Sequence, residues 1–247
     1  MTDGAAYDRL AALLEPVDDE LVRRLAPRAG ERWLDLVTGT GATARRAAQA
    51  GADVTAIDGS PMIVEKITHD AEDAGLALEA TVADVEFLPF EDASFDVLAS
   101  RFGIVYVPDH ASVAAELARV ARPGARLGFT AWRPNPKLGE LYRRFTDEPI
   151  EGLEAYEWGR EDHVEDMLGD DFELDFADGT VQLHAGSGEE LWEMLSIAPA
   201  PRTVLRRLDG ERAQEFRQAF LGLYEEYRSG DGIDLPRRYL LVLGRRR

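Results

Sequence analysis

The segment Trp33-Leu34-Asp35-Leu36-Val37-Thr38-Gly39-Thr40-Gly41 constrains this chain more than any other. A run with strand character enters a G-x-G turn, and an alanine-rich stretch at about 42–50 continues with helical composition. A strand that turns this tightly into a helix brings unpaired backbone N–H groups to one point. The glycines let the backbone approach a guest closely. An adenosine-containing ligand suits such a turn, although a purely structural connection is also compatible. Gly39-Thr40-Gly41-Ala42-Thr43-Ala44 further fits G-x-G-x-x-A, the dinucleotide fingerprint, and Asp58 lies near the distance expected of a ribose-binding acid.

From residue 54 to residue 132 the chain keeps a strand–helix rhythm. Residues 54–57 read as a short buried strand. Ser60 is placed to cap a helix that begins at Pro61 and runs to about Ala74. Strands are predicted at 78–82, 95–100 and 126–132, with a helix at about 111–121 between the last two. Alternation of this kind predicts a parallel sheet with right-handed crossovers. Two helices, 5–14 and 17–26, precede it, with Pro16 and Pro27 as breaks. After Trp132 the rhythm changes. Residues 136–171 look helical and loop-rich, and 172–176 and 180–184 read as strands about the turn Asp178-Gly179. Helices are expected at about 188–196 and 210–228, and a last strand at 238–243. No internal repeat or low-complexity linker interrupts the chain. One domain over 1–247 is expected: N-terminal helices to 30, a ligand-binding core over 31–135, additions that cover the substrate over 136–230, and a final strand over 231–247.

Two acids argue against the dinucleotide. Asp35 sits inside the first strand, where a pyrophosphate gains nothing from a carboxylate but a ligand with a free ammonium does. Ala83-Asp84-Val85-Glu86 follows the third strand, where an acid and a backbone N–H suit the edge of adenine. The chain also ends in paired-looking strands rather than in a sixth parallel one.

Four segments, WLDLVTGTG, VTAIDGSP, ADVEFLPFEDASFDVLASRFG and ELARVARPGARLGFTAW, resemble in order and spacing the motifs of class I S-adenosylmethionine-dependent methyltransferases. The branch most similar is that of small-molecule enzymes, including the ubiquinone and menaquinone biosynthetic methyltransferases. The resemblance covers about residues 30–135. It implies a Rossmann-like α/β fold: seven mostly parallel strands with helices on both faces and the last strand antiparallel. It implies S-adenosyl-L-methionine as cofactor and S-adenosyl-L-homocysteine as product. By position, Asp35 would orient the methionine ammonium, and the backbone of Thr38, Gly39 and Gly41 would face the methionine part. Asp58 would hold the ribose diol, with Gly59, Ser60 and Met62 beside it. Asp84 would accept from the adenine amino group, flanked by Ala83 and by the Val85 amide. Arg101 would border the methyl group. Two positions depart from the family. Val37 stands where Gly or Ala is usual and is expected to crowd the cofactor. Gly59 replaces an apolar residue and is expected to widen the adenine pocket.

Methyl transfer is an in-line displacement at an activated carbon, so alignment and exclusion of water matter more than any fixed catalytic group. A base helps only where the nucleophile enters protonated. The residues after the fourth strand, Ser100-Arg101-Phe102-Gly103-Ile104-Val105-Tyr106, are not the N/D-P-P-Y/F sequence of enzymes acting on planar amino groups. With no cysteine, the covalent route to cytosine C5 is closed, and neither a disulfide nor a thiolate metal site is available. Four scattered histidines without H-x-x-x-H spacing speak against zinc. His110 and Arg101 are the candidates for catalysis, against ordinary readings as a helix-cap residue and a surface ion pair. His69, His163 and His184 read as structural or exposed. Phe102, Tyr106 and Trp132 are the expected acceptor-binding residues, and Tyr7 is placed to close over the cofactor.

The formal net charge of −19 makes nucleic acid an unfavourable partner and a small molecule the expected one. No apolar run is long enough for a bilayer, and the start MTDGAAYDRLAALLEP lacks the pattern of a signal peptide, so a cytoplasmic protein without membrane partners is expected. The leading expectation is methyl transfer to an O, N or C atom of a small, largely apolar organic molecule. The alternatives are a non-catalytic module that binds cofactor or partner, and an NAD(P)-dependent oxidoreductase.

Overall fold

A computed structural model describes residues 2–247, with side-chain surroundings from residue 5 onward. Its strands are β1 (Arg32–Leu36), β2 (Asp53–Asp58), β3 (Leu78–Val82), β4 (Phe95–Arg101), β5 (Ala121–Trp132), β6 (Phe172–Ala185), β7 (Arg228–Ser229) and β8 (Gly232–Arg246). They form one sheet in the order β3-β2-β1-β4-β5-β8-β6, with short β7 paired to the start of β8. β1 to β5 are parallel. β8 runs antiparallel to β5, and β6 antiparallel to β8. This is the Rossmann-like arrangement with an antiparallel strand that the sequence predicts.

The helices are α1 (Thr2–Leu13), α2 (Glu15–Leu25), α3 (Ala42–Gln49), α4 (Pro61–Ala74), α5 (His110–Val120), α6 (Pro136–Arg143), α7 (Glu161–Leu168), α8 (Gly188–Leu195), α9 (Pro199–Leu205) and α10 (Gly210–Gly222). Helices cover both faces because strand residues alternate. Trp33 of β1 enters one buried cluster with Val54, Ala56, Val97 and Ala99. Leu34 and Leu36 enter the other with Leu98, Leu117 and Leu127. α2 supplies Val17, Leu21 and Leu25, each one turn apart, to the first cluster. Burying each such side chain stabilises by about 1.5–3 kcal/mol. Asp35 shares the face of Trp33 and so points toward α2 and α3, which is what brings a carboxylate under the glycine turn.

Several boundaries differ from expectation. The expected break between the first two helices falls at Leu14, two residues before Pro16, which sits in the first turn of α2, where its missing N–H has no partner to lose. The strands expected at 172–176 and 180–184 are one strand, β6, paired along its length from Phe172↔Arg246 to Ala185↔Ile233. Asp178-Gly179 is therefore no turn. Gly179 lacks a side chain because the Tyr239 ring fills the space a Cβ would take. β8 extends far beyond 238–243 because backbone pairing with β6 carries it through Asp234, Pro236, Arg237 and Arg238, whose polarity hides the alternation. α10 ends at Gly222, short of the expected 228. No helix among the described residues is long and apolar enough to cross a membrane, and no group of three His, Asp or Glu among them is arranged to hold a metal.

Candidate active site

β1 ends at Leu36, and the chain turns through Val37 (φ 52°), Gly39 (φ 57°) and Gly41 (φ 71°), the N-cap of α3. The Thr38 amide donates to the Ile57 carbonyl at 2.9 Å, tying the turn to β2. Asp35 is buried beneath it and accepts a hydrogen bond from the Thr38 hydroxyl. Burial pushes the Asp35 carboxyl up to about 7. The Thr38 bond opposes that rise, and a second acid, Asp18, adds to it. At the end of β2, Asp58 accepts from the Gly39 amide at 3.1 Å and from the Ser60 amide at 3.0 Å. Ser60 occupies the N-cap of α4, yet its hydroxyl makes no cap bond, contrary to expectation; its backbone serves Asp58 instead. The Ala83 amide donates to the Asp58 carbonyl at 3.2 Å, so the ends of β1, β2 and β3 are joined through this one residue. Asp84 is exposed beyond β3 and accepts from the Glu86 amide at 2.9 Å, while the Val85 side chain is buried in the second cluster.

Asp18 of α2, which the sequence did not single out, is completely buried at this turn. It accepts from the Thr43 hydroxyl at 2.7 Å and pairs with Arg101 Nε at 3.0 Å. Burial pushes its carboxyl up against the pull of Arg101. Its other oxygen and Arg101 Nη1 are buried without a partner. The signal was present: Asp18 interrupts the apolar stripe of Val17, Leu21 and Leu25. Tyr7 of α1 stands over the turn, since a Cβ on Gly39 would meet its hydroxyl. Burial raises the Tyr7 phenol, while Arg101 lowers it and Asp58 raises it. Arg101 is thus in place beside the turn, in an ion pair with Asp18 that is buried rather than at the surface. Val37 is pressed against the loop after β4: a Cβ on Gly103 would lie 2.6 Å from the Val37 carbonyl oxygen and 2.7 Å from its Cβ.

Trp132 at the end of β5 stacks on Phe102 with ring centroids 3.9 Å apart. Phe102 is buried behind Trp132 and does not reach the adjoining cavity. Tyr106 and Trp132 do line that cavity, with Leu10 of α1 and with Tyr142, Tyr156, Tyr224 and Arg237 from the segments after β5. Arg237, also missed from the sequence, caps the Trp132 ring at 4.5 Å. α1 thereby borders both places, the glycine turn through Tyr7 and the cavity through Leu10.

The histidines lie elsewhere. His110 Nδ1 is 2.9 Å from His163 Nε2, and both rings pack on Trp158. Burial lowers the His110 imidazole, with His163 adding to this. The acids that oppose it are Glu154, Glu157 and Asp109, none of them at the glycine turn. His184 contacts Asp234 at 2.6 Å and His69 contacts Asp73 at 3.5 Å, both in exposed positions.

The large hydrophobic side chains left exposed among the described residues are Tyr7, Met62, Val82, Phe87 and Tyr106. All but Tyr7 lie at or after the carboxyl ends of β2, β3 and β4, and Tyr7 stands over the turn. Exposed apolar surface gathered at one edge of a sheet marks a ligand site. The buried atoms of Asp18 and Arg101 without partners, the two acids at Asp35 and Asp58, and the open space around Gly59 suit a cationic, adenosine-bearing molecule.

Residues 34–129 match the methyltransferase domain family. An uncharacterised protein of Mycobacterium tuberculosis is 36% identical over 164 residues, covering 64% of this chain and 59% of that protein. The demethylmenaquinone methyltransferase of Clavibacter sepedonicus is 38% identical over 132 residues, covering 50% and 52%. The chain therefore spans little more than half the length of these relatives. The structure of a geranyl diphosphate methyltransferase in complex with S-adenosylmethionine shares the fold, with a TM-score of 0.58 and 19% identity over 94% of this chain and 85% of that one. The matched segment is similar to methyltransferase domains, among them those of the ubiquinone and menaquinone methyltransferases.

Proposed function

We infer that this protein is an S-adenosylmethionine-dependent methyltransferase acting on a small, largely apolar organic molecule. The observation that carries the inference is the acid cluster at the glycine turn: Asp18 paired with Arg101, Asp35 beneath Thr38 and Asp58 bound to the Gly39 amide, with buried polar atoms of Asp18 and Arg101 left open. Acidic side chains there suit a ligand with sulfonium and ammonium groups better than a pyrophosphate, which weighs against the nicotinamide alternative.

S-adenosylmethionine would supply a methyl group already activated on a sulfonium. The chain's own residues do the rest. Asp35, when ionised, accepts from an ammonium. The backbone of Thr38, Gly39 and Gly41 offers close approach, and Asp58 keeps lone pairs free for a diol beyond the two amides it binds. Gly59 leaves room beside it. Met62 and Ala83 flank the face where an adenine would rest, and Asp84 and the Val85 amide border its edge. Arg101, held by Asp18, keeps a buried N–H group without a partner. Tyr7 stands over the turn with its hydroxyl against Gly39. Among the described residues no general base stands between turn and cavity, because His110 is engaged with His163. An acceptor ionised or carbanionic on entry needs none.

Val37 is the one observation favouring a module that binds without transferring, since its side chain occupies space the family leaves to Gly or Ala. Incubation with methyl-labelled S-adenosylmethionine and a panel of phenols, carboxylic acids and amines separates the two: label on any small acceptor supports the enzyme, and tight cofactor binding with no transfer to the whole panel would favour the module.

A further inference from the structure

β8 is antiparallel, so its first half projects past the carboxyl end of β5, where the Trp132↔Tyr239 pair closes the shared ladder. Leu235, Arg237, Tyr239 and Leu241 alternate onto one face there, and all but Arg237 belong to the apolar core cluster. An arginine in an apolar stripe needs a reason. Its neighbours on the opposite side have theirs: Arg238 pairs with Asp178 at 3.3 Å, and Arg133 pairs with Asp178 and Glu161, each at 2.7 Å. Arg237 has no carboxylate partner among the described residues. What surrounds it is Trp132, whose ring it caps at 4.5 Å, and the tyrosines of the cavity, of which Tyr156 accepts a hydrogen bond from it. The two buried phenols do not supply the missing charge: burial pushes Tyr224 up to about 12 and Tyr142 higher still, so they stay neutral at pH 7.

A guanidinium is a planar fork that binds a carboxylate through two parallel hydrogen bonds, and its stacking on an aromatic face leaves its edge free to do so. The cavity is otherwise aromatic and aliphatic, and the whole chain is strongly acidic, so a cation without a carboxylate partner among the described residues is a selective feature there rather than part of a general basic surface. We propose that Arg237 is the specificity-determining residue of the acceptor site, and that the acceptor is a small apolar molecule carrying one carboxylate, which Arg237 binds while the Trp132 and tyrosine walls enclose its body. This rests on the methyltransferase reading for the identity of the cavity as an acceptor site, but the charge preference can be measured without it.

The test uses trans-cinnamate, its neutral analogue cinnamamide and the neutral phenol 4-propylphenol as probes. Binding to the full chain is followed by calorimetry, with and without S-adenosylhomocysteine. Cinnamate is expected to bind about tenfold or more tightly than either neutral probe. Arg237→Met should abolish that preference, and Arg237→Lys, which keeps the charge and loses the fork, should restore part of it. S-adenosylhomocysteine affinity should be unchanged in both variants. Equal binding of cinnamate and cinnamamide to the wild-type chain, or an undiminished preference in a folded Arg237→Met, would overturn the proposal. The wild-type comparison needs no variant to fold. Failure of S-adenosylhomocysteine to bind the wild type would contradict the methyltransferase reading instead, and would leave the carboxylate preference to stand or fall on its own comparison.

Discussion

Val37 holds a backbone conformation, φ 52°, that a β-branched residue adopts only under strain, of about 1–3 kcal/mol. It lies just beyond β1, so glycine there forfeits no strand order. Val37→Gly should therefore raise or preserve the melting temperature, the released strain offsetting the loss of a half-buried side chain, and should leave S-adenosylmethionine binding equal or tighter. A large drop in melting temperature would show that Val37 packs better than its backbone suggests. Asp35 makes a pH prediction. Its carboxyl is raised to about 7 in the folded chain from an ordinary value near 3.8, so between those limits the folded state retains a proton that the unfolded state has lost. Its effect is to lower stability as pH rises from about 4 to about 7, by up to about 1.4 kcal/mol per unit, and to level off above that. Ionised Asp35 is the form that accepts an ammonium, so cofactor affinity should climb with pH over the same window. Asp35→Asn should flatten both profiles; a stability profile unchanged by the substitution would mean another group titrates. Asp35, Asp58 and the glycines were legible because a fixed motif spacing carries them. Asp18 and Arg237 were not, since each is a charged residue inside an apolar stripe, and only the packing of α2 and of β8 against the sheet reveals what it faces.

The parallel strands were legible as elements because each is short, apolar and closed by turn residues. β6 and β8 were misread because polar residues in their outer halves, Asp178, Asp234 and Arg238 among them, imitate turns; long-range pairing between the two strands overrides local propensity. Gly179 is the position where that pairing is most exposed to change. Its missing side chain accommodates the Tyr239 ring, which in turn meets Phe102 edge-on with centroids 5.9 Å apart. Gly179→Ala should cost about 1–3 kcal/mol by overpacking, a fall in melting temperature of roughly 2–10 °C. If 178–179 were a surface turn, the same substitution would change little, so thermal unfolding distinguishes the two arrangements directly.

A formal charge of −19 spread over 247 residues means that the folded chain repels itself, and that any cationic ligand is drawn toward it. Salt screens both effects. Raising sodium chloride from about 20 to about 300 mM should increase the melting temperature and weaken cofactor binding together, whereas a site governed by a buried anion-binding cradle would lose nothing or gain. The central claim is that the acidic cluster beneath the glycine turn binds S-adenosylmethionine. Its most direct test is equilibrium calorimetry of S-adenosylmethionine and of NAD with the wild-type chain and with Asp58→Ala, whose fold is checked by circular dichroism. S-adenosylmethionine should bind the wild type and NAD should not, and the substitution should weaken S-adenosylmethionine by about tenfold to a hundredfold, as loss of charge-assisted bonds to a diol requires. Tighter binding of NAD than of S-adenosylmethionine, or a folded Asp58→Ala that binds S-adenosylmethionine as well as wild type does, would contradict it.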